Sequence, residues 1–158
     1  MKQRSKRKAG KNRARLYRDY LEEQHRGERT VFVGTRAEHF CGYVTVKWMS
    51  QYTAFQREGI PEINDLNVLA AFQRRGVATR LIEAAEDAIF DRGPTAGLAV
   101  GLTSDYGPAQ RLYFKLGYQP DGRGLTYENK HCEYGTEVRT DDDLVLWLTK
   151  KRAPARLL

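Results

Sequence analysis

An arginine-rich turn, QRRGVAT at residues 73–79, is the stretch of this sequence best suited to binding a ligand. It opens a helical pattern, and the first N–H groups of a helix have no partner inside that helix. The helix dipole favours negative charge at the same end. Gly76 has no Cβ, so the backbone can approach a ligand closely there. The turn is therefore predicted to bind a phosphate group.

The elements on either side must position this turn. Residues 63–69 are typical of a strand, and the helix that begins at Val77 has one broad apolar face. Gly93-Pro94 is a usual helix end. The turn therefore lies between a buried strand and an amphipathic helix.

A second strand and helix follow. Residues 98–102 are apolar throughout, as in a strand buried on both faces. The stretch PAQRLYFKL, residues 108–116, begins with a proline suited to the first helical position and is followed by Gly117, a typical C-cap. Tyr113 lies on the apolar face of this helix. A strand–helix–strand order predicts a mixed sheet with helices on its faces.

The rest of the chain contains one further helix, a hairpin and a last strand. The apolar pattern predicts a helix over residues 14–27 and an antiparallel hairpin over residues 30–34 and 40–48. The last clear strand is predicted over residues 144–148. Residues 49–60 have no strand period and are expected to form a loop or a short helix. The expected order is helix, three strands, helix, strand, helix, and one or two strands.

The charge is divided unevenly along the 158 residues. Residues 1–18 hold nine of the 27 Lys and Arg residues and no acid, which leaves a net charge of −2 on residues 19–158. The sequence predicts a flexible basic arm at residues 1–13, one domain at residues 14–149 and a loose tail at residues 150–158. The arm is interpreted either as a solvated tail or as a contact with RNA or another polyanion through residues 1–18.

Several classes of protein are disfavoured by composition. No apolar run approaches the length of a membrane span, and no apolar segment of a signal peptide follows the basic start. The expected protein is cytoplasmic, with no membrane partner. The Cys and His residues are too few and too far apart to predict a disulfide framework or a metal site: Cys41, Cys132, His25, His39 and His131.

Two motifs carry a resemblance to a known family. The turn at residues 73–78 fits a Q/R-x-x-G-x-G/A pattern, and AQRLYFKLGY at residues 109–118 fits A-x-x-L-Y-x-x-x-G-F/Y. On these residues the chain resembles the GNAT superfamily of acetyl-CoA-dependent N-acetyltransferases over residues 29–149. The stretches PEINDLNV, DYGPAQRLY and DDDLVLWLTK are similar to the corresponding sequences of one bacterial subgroup of this superfamily.

The resemblance implies an α/β (α+β) fold with a mixed, mostly antiparallel central sheet and helices on both faces. Members usually begin with a strand and two helices before the hairpin, whereas this chain has only 28 residues there. The N-terminal part is therefore predicted to be shortened.

The same resemblance implies a cofactor, acetyl-CoA, and a set of residues that bind it. The turn amides would bind the pyrophosphate, the arginines would add charge, and the edge of the third strand would pair with the pantetheine arm. The hydroxyl of Tyr113 would point at the thioester sulfur. The implied cofactor residues are Leu66, Asn67, Val68, Leu69, Gln73, Arg74, Arg75, Gly76, Val77, Ala78, Thr79, Arg80, Ala109 and Tyr113.

Acetyl transfer to an amine needs a base and an acid. An alkylammonium with a pKa of about 10 must lose a proton before it attacks a thioester. Glu62 is the first candidate for the base, because it lies eleven residues before Gln73, where some family members carry theirs; Asp65 is the second. Tyr113 is the candidate acid for the departing thiolate. In the alternative interpretations, Tyr113 is a core tyrosine and Glu62 is a strand-edge charge.

The acceptor is the least defined part of the prediction. Trp48, Tyr52 and Phe55 are placed beside a ligand cleft, with buried packing as the alternative for Tyr52 and Phe55. The expected substrate is a small-molecule or peptide amine. A homodimer and other acyl groups stay open. The rival hypothesis is a coenzyme A-holding binding module whose basic arm contacts RNA or ribosomes.

Overall fold

The computed structural model describes residues 13–156 as eleven helices and strands with two short 3₁₀ turns. The helices are α1 (Arg13–His25), α2 (Thr53–Glu58), α3 (Val77–Phe90) and α4 (Gly107–Lys115). The strands are β1 (Arg29–Arg36), β2 (His39–Lys47), β3 (Glu62–Val68), β4 (Thr95–Gly101), β5 (Gln119–Tyr127), β6 (Lys130–His131) and β7 (Leu144–Lys151).

The seven strands form one sheet in the order β1-β2-β3-β4-β7-β5-β6. Every neighbouring pair is antiparallel except β3 and β4, which are parallel because α3 carries the chain back between them. The predicted mixed, mostly antiparallel sheet is confirmed.

Two hydrophobic clusters show which helices cover each face. In β4 and β7, Leu98, Val100 and Leu148 belong to a large cluster with the buried residues of α3 and α4. The alternate residues Ala99 and Trp147 belong to a smaller cluster with residues from the α2 region. Because successive side chains of a strand point to opposite faces, the helices lie on both sides of the sheet.

β1 shows the same division at the other end of the sheet. Gly34 faces α3, since a Cβ added to it would lie 3.5 Å from the Leu81 side chain. Val31 and Val33 face α1, where they line an apolar groove with Tyr17 and Tyr20. α1 therefore covers the face opposite α3.

The sheet opens between β3 and β4. The two strands pair only at Glu62 with Gly97 and at Ile63 with Leu98. Directly after this point the register of β3 against β2 shifts, and Asp65 adopts a left-handed φ of 54°. Such a bulge adds a residue and bends the strand. The second half of β3 therefore diverges from β4 and leaves a gap in the sheet.

Of the two alternatives for residues 49–60, a loop or a short helix, the structure shows the short helix α2. Two other expectations about the elements need correction. The segment after Tyr118 holds two strands, β5 and β6, so three strands follow α4 instead of one or two. The tail predicted at residues 150–158 begins later, because Lys150 and Lys151 extend β7 beside Ala96 and Thr95.

The predicted basic arm lies almost entirely outside the described residues. Arg13, which the sequence assigns to the arm, is the first residue of α1. α1 ends at His25, close to its predicted end at Gly27. Of the apolar side chains on α1, Tyr20 is buried, whereas Tyr17 and Leu21 are 40% and 51% exposed.

Candidate active site

The turn before α3 has the backbone conformation of an anion site. Arg74 and Gly76 have φ angles of 59° and 78°, and Gly76 is the N-cap of α3. The first helical hydrogen bond runs from the N–H of Arg80 to the carbonyl of Gly76 at 3.1 Å. No side chain in the described part of the chain caps this end, so the earlier amides keep their capacity to donate.

A cleft of about 520 Å³ lies against this turn. One wall is formed by the end of β3 and the start of α3, and the other by α4 and the loop before it. The predicted cofactor residues in its lining are Val68, Gln73, Arg74, Gly76, Val77, Ala78 and Thr79.

Four further lining residues were not predicted from the sequence. Asp105, Pro108 and Leu112 come from the start of α4 and the loop before it, and Phe72 precedes the turn. The proline was recognised only as a helix start. A strand–helix–strand order indicates that α3 and α4 are neighbours, but it does not indicate which side chains of α4 face the turn.

Other predicted cofactor residues lie elsewhere. Arg75 and Arg80 line a neighbouring groove of about 810 Å³ between the β1–β2 hairpin and α3, together with Arg36. Ala109 and Leu66 are fully buried in the large cluster. They do not line the cleft.

The second half of β3 is paired on one side only. Its partner is β2, to which Leu69 adds a bond from its N–H to the carbonyl of Cys41 at 2.8 Å. The side chain of Gln73 donates to the carbonyl of Val68 at 3.1 Å. Asn67, like Val68, lies beyond the last β3–β4 pair. The edge that faces the gap is thus the one predicted to meet a ligand.

Tyr113 is fully buried in the large cluster and does not line the cleft. Its ring packs edge-on against Tyr118, with the centroids 6.1 Å apart. Burial raises the pKa of the Tyr113 hydroxyl above its ordinary value, with a smaller contribution from Tyr106. The hydroxyl therefore stays protonated at neutral pH and is a donor.

Glu62 is a buried carboxylate with both oxygens engaged. Oε2 accepts a hydrogen bond from Ser50 at 2.6 Å, and Oε1 accepts one from Asn64 at 3.0 Å. Asn64 also accepts from Arg29, which donates to Thr45. Glu62 thus belongs to a polar network on the α1 and α2 face of the sheet.

Asp65 is the second buried carboxylate on that face. Its Oδ2 accepts hydrogen bonds from Tyr20 at 2.8 Å and Tyr43 at 2.7 Å. Its Oδ1 is buried and has no hydrogen-bond partner among the described residues. Burial raises the pKa of Asp65 above its usual range, and the two tyrosine hydroxyls and Arg29 oppose that shift.

The three aromatic residues predicted beside the acceptor have other surroundings. Tyr52 stacks on Trp147 with centroids 4.3 Å apart, and Phe55 packs edge-on against the same ring. Both are at most 1% exposed, so buried packing describes them and a place in a cleft wall does not. Trp48 is partly buried under the guanidinium of Arg92.

The described residues were also compared with two other features, a membrane-spanning helix and a group of metal ligands. Within residues 13–156, no helix combines the length and the apolar character that crossing a bilayer requires. Over the same residues, no three His, Cys, Asp or Glu side chains are grouped as metal ligands.

Comparison with protein families gives a match to the model described as "Acetyltransferase (GNAT) family" over residues 3–118. No curated protein matches the chain significantly.

Solved structures share the fold at low sequence identity. A ribosomal-protein-alanine N-acetyltransferase from Brucella melitensis has a TM-score of 0.62 and 16% identity, over 87% of this chain and 78% of that one. A spermidine N-acetyltransferase chimera from Vibrio cholerae has a TM-score of 0.63 and 18% identity, over 90% of this chain and 78% of that one. An aminoglycoside 6'-N-acetyltransferase complexed with coenzyme A has a TM-score of 0.57 and 19% identity, over 85% of this chain and 79% of that one. The sheet and its helices are therefore an arrangement found in solved acetyltransferases.

Proposed function

Since the chain belongs to the acetyltransferase (GNAT) family, whose cofactor is acetyl-CoA, we propose that it transfers acetyl to a primary amine by direct attack in a ternary complex. The observation that carries this proposal is the cleft at the uncapped start of α3, beside the gap in the sheet. Backbone N–H groups and the helix dipole favour a pyrophosphate there. The amides of residues 75–79 are the proposed donors.

The pantetheine arm is proposed to lie along the free edge of β3. An extended chain that carries amides can hydrogen-bond to such an edge as an added strand does. The unpaired edge runs from Leu66 to Val68 and leads from the cleft toward Asp65. This path brings the thioester from the α3 face to the gap in the sheet.

The reacting groups lie on opposite faces of the sheet. Glu62 and Asp65 lie on the α1 and α2 face, and Tyr113 lies in the cluster on the α3 and α4 face. The acceptor loses a proton to a carboxylate, directly or through water, before it attacks the carbonyl. Tyr113 is the proposed donor to the departing sulfur, whose thiol has a pKa of about 8.5 by analogy to cysteine. The donor would then be bound from one side and the acceptor from the other.

The acceptor is proposed to be a cationic amine. Residues 19–158 carry a net charge of −2, and two buried carboxylates lie on the acceptor face. The structural neighbours are named for aminoglycoside, spermidine and ribosomal-protein alanine acceptors. These names favour a panel of such amines as the first substrates to test.

Two measurements test the proposal in sequence. Isothermal calorimetry should detect acetyl-CoA binding, and its absence at high micromolar concentration would refute the donor assignment. A thiol-release assay should then show turnover with at least one of four amines: spermidine, kanamycin, phenethylamine or a peptide with an N-terminal alanine. Acetyl-CoA binding without turnover on any primary amine would leave the enzymatic proposal without support.

A second candidate function rests on the charge of the N-terminal segment. Nine basic residues and no acid within residues 1–18 favour contact with RNA, on a domain that would bind coenzyme A without catalysis. RNA affinity that falls steeply with salt and is lost on deleting residues 1–12, together with no acetyl transfer, would favour this candidate.

A further inference from the structure

We propose that Asp65, rather than Glu62, binds the ammonium group of the acceptor and takes its first proton, an inference that rests on the acetyltransferase function proposed above. The acceptor class follows from the chemistry: a primary ammonium with N–H groups to donate. Four features of Asp65 carry the inference, and each distinguishes it from the other buried acids.

The first feature is an unused hydrogen-bond acceptor. Asp65 is 4% exposed, and its Oδ1 is the only buried side-chain N or O atom of the described residues that has no hydrogen-bond partner. A buried polar atom without a partner is costly, and buried polar groups in folded proteins are nearly always paired. An ammonium N–H at Oδ1 would supply both the missing hydrogen bond and an opposite charge.

The second feature is the backbone. The other non-glycine residues with left-handed φ angles lie in turns, whereas Asp65 lies inside a strand. An L-residue in this conformation is strained, and such strain is concentrated at functional sites. The bulge turns the Asp65 side chain toward Tyr20 and Tyr43. The strain thus holds a carboxylate where regular pairing would not place one.

The third feature is the position along β3. Ile63 makes the last pair with β4, so Asp65 is the second residue after the sheet opens. Val68, three residues further, lines the candidate coenzyme cleft on the other side of the gap. An amine bound at Asp65 would therefore approach the thioester through the gap, from the face opposite the coenzyme.

The fourth feature is the contrast with other buried carboxylates. Glu62 uses its oxygens to accept from Ser50 and Asn64. Glu86 accepts from Tyr118 and from Lys150 on the opposite face. Of these three carboxylates, only Asp65 accepts hydrogen bonds from two neutral donors at one oxygen and none at its other oxygen. Its raised pKa also makes it a stronger base than an exposed aspartate.

The proposed step balances. The ammonium N–H bond breaks, its electron pair stays on nitrogen, and the proton passes to Oδ1 of Asp65. The neutral amine then attacks the thioester carbonyl, the C–S bond breaks, and the sulfur leaves as thiolate. Tyr113 donates its hydroxyl proton to the sulfur, and the second nitrogen proton, lost as the amide forms, returns through solvent to Tyr113. Asp65 releases its proton to solvent before the next cycle.

The first test compares two isosteric substitutions of buried carboxylates that accept from a tyrosine. Asp65→Asn should lower kcat/KM at least about 100-fold with the best amine of the panel, while the Kd for acetyl-CoA changes less than about two-fold. Glu86→Gln is the matched control on the other face, and it should retain kcat/KM. Asp65→Asn with wild-type kcat/KM would overturn the inference and leave the proposed function intact.

The second test needs no acetyl transfer. Methylammonium and tetramethylammonium carry the same charge, but only methylammonium has N–H donors. At equal ionic strength, methylammonium should raise the Tm of the wild type by about 2 °C or more over tetramethylammonium, since a ligand of the folded state stabilises it. The difference should vanish in Asp65→Asn and persist in Glu86→Gln. Equal effects of the two ions on the wild type would contradict the ammonium site.

The two tests separate the two ways of failing. Loss of acetyl-CoA binding or of all turnover in the wild type refutes the proposed function, while the two ions still report on Asp65. Turnover that survives Asp65→Asn refutes the role of Asp65 alone.

Discussion

At the scale of single residues, burial acts on Tyr113 and Asp65 in the same direction but suits them to opposite tasks. It raises the pKa of both, because a buried site disfavours the charged form. A tyrosine that stays protonated is a reliable donor, whereas an aspartate of raised pKa is a better base. Burial therefore fits the two roles proposed for these residues, acceptance of a proton by Asp65 and donation of a proton by Tyr113.

Replacing Tyr113 with Phe tests its role as the acid. If its hydroxyl protonates the departing sulfur, kcat should fall about ten-fold or more, with acetyl-CoA affinity little changed. Single-turnover kinetics and calorimetry separate the two effects. Because Tyr113 is fully buried, an unchanged rate would identify it as a core tyrosine, the alternative that the sequence left open.

Asp65 should make stability depend on pH in a defined direction. A carboxyl whose pKa is raised on folding favours the protonated form, so its stabilising effect is complete below the unfolded pKa of about 3.9 and is lost as pH rises through the folded value. Asp65→Asn should therefore raise Tm at pH 7 by about 2–4 °C, the shift that about 1 kcal/mol produces in a domain of this size.

Thermal melts at two pH values check this direction. The gain of Asp65→Asn over the wild type should shrink toward zero at pH values below about 4, where the aspartate is protonated in both states. A variant that is less stable than the wild type at pH 7 would show that the carboxylate is not a net cost to folding.

The residues of the turn could be located from the sequence, whereas the surroundings of the two carboxylates could not. Gln73 and Gly76 were recognised because the conformation of a helix start depends on neighbouring residues. Glu62 ranked above Asp65 because it occupies the position, eleven residues before Gln73, where some family members carry their base. The hydrogen bonds that distinguish the two acids come from Tyr20 and Tyr43, which are 45 and 22 residues from Asp65, and no local pattern reports them.

At the scale of elements, the start of α3 depends on one glycine. Gly76→Ala places a Cβ at a φ of 78°, which costs about 1 kcal/mol in this region. Gly135 has the same φ and equal space around it and does not line the cleft, so Gly135→Ala is a matched control for strain. Both variants should lose similar stability, but only Gly76→Ala should weaken acetyl-CoA binding, about ten-fold by calorimetry. Equal affinities would separate the turn from the coenzyme site.

A second glycine allows the end of β3 to lie close to β2. A Cβ on Gly42 would lie 2.3 Å from the carbonyl oxygen of Asn67, so Gly42→Ala must displace β3. The expected loss is about 1–3 kcal/mol in urea denaturation, as for other overpacked sites. Gly93 has open space and no left-handed φ, so Gly93→Ala should be tolerated. Similar stabilities for the two variants would show that β3 can move away at little cost.

The length and regularity of each element decided how well it was predicted. α3 has a broad apolar face over 14 residues, and its bounds were recovered closely. β5 was missed as a regular strand because Gly122 and Gly124 have left-handed φ angles and the pairing with β7 is interrupted between Pro120 and Leu125. α2 spans only six residues, too few for a periodic pattern to distinguish a short helix from a loop.

At the scale of the whole molecule, the order of strands and helices could be predicted, but the contacts between elements distant in the sequence could not. The order of strands and helices indicated a mixed sheet with helices on its faces, which the structure confirms, and the parallel pair is β3 with β4. The cleft, however, depends on Pro108 and Leu112 meeting a turn that ends about thirty residues earlier. Such contacts depend on how α3 and α4 pack together on one face, which no single stretch of sequence encodes.

The gap between β3 and β4 has a consequence for the order of binding. If the donor and the acceptor approach the gap from opposite faces, as proposed above, neither should obstruct the other. Initial-rate plots should then intersect, with no obligatory first substrate. A conjugate that joins coenzyme A to an amine would have to thread its amine end through the sheet. We expect such an inhibitor to associate and to dissociate more slowly than coenzyme A does.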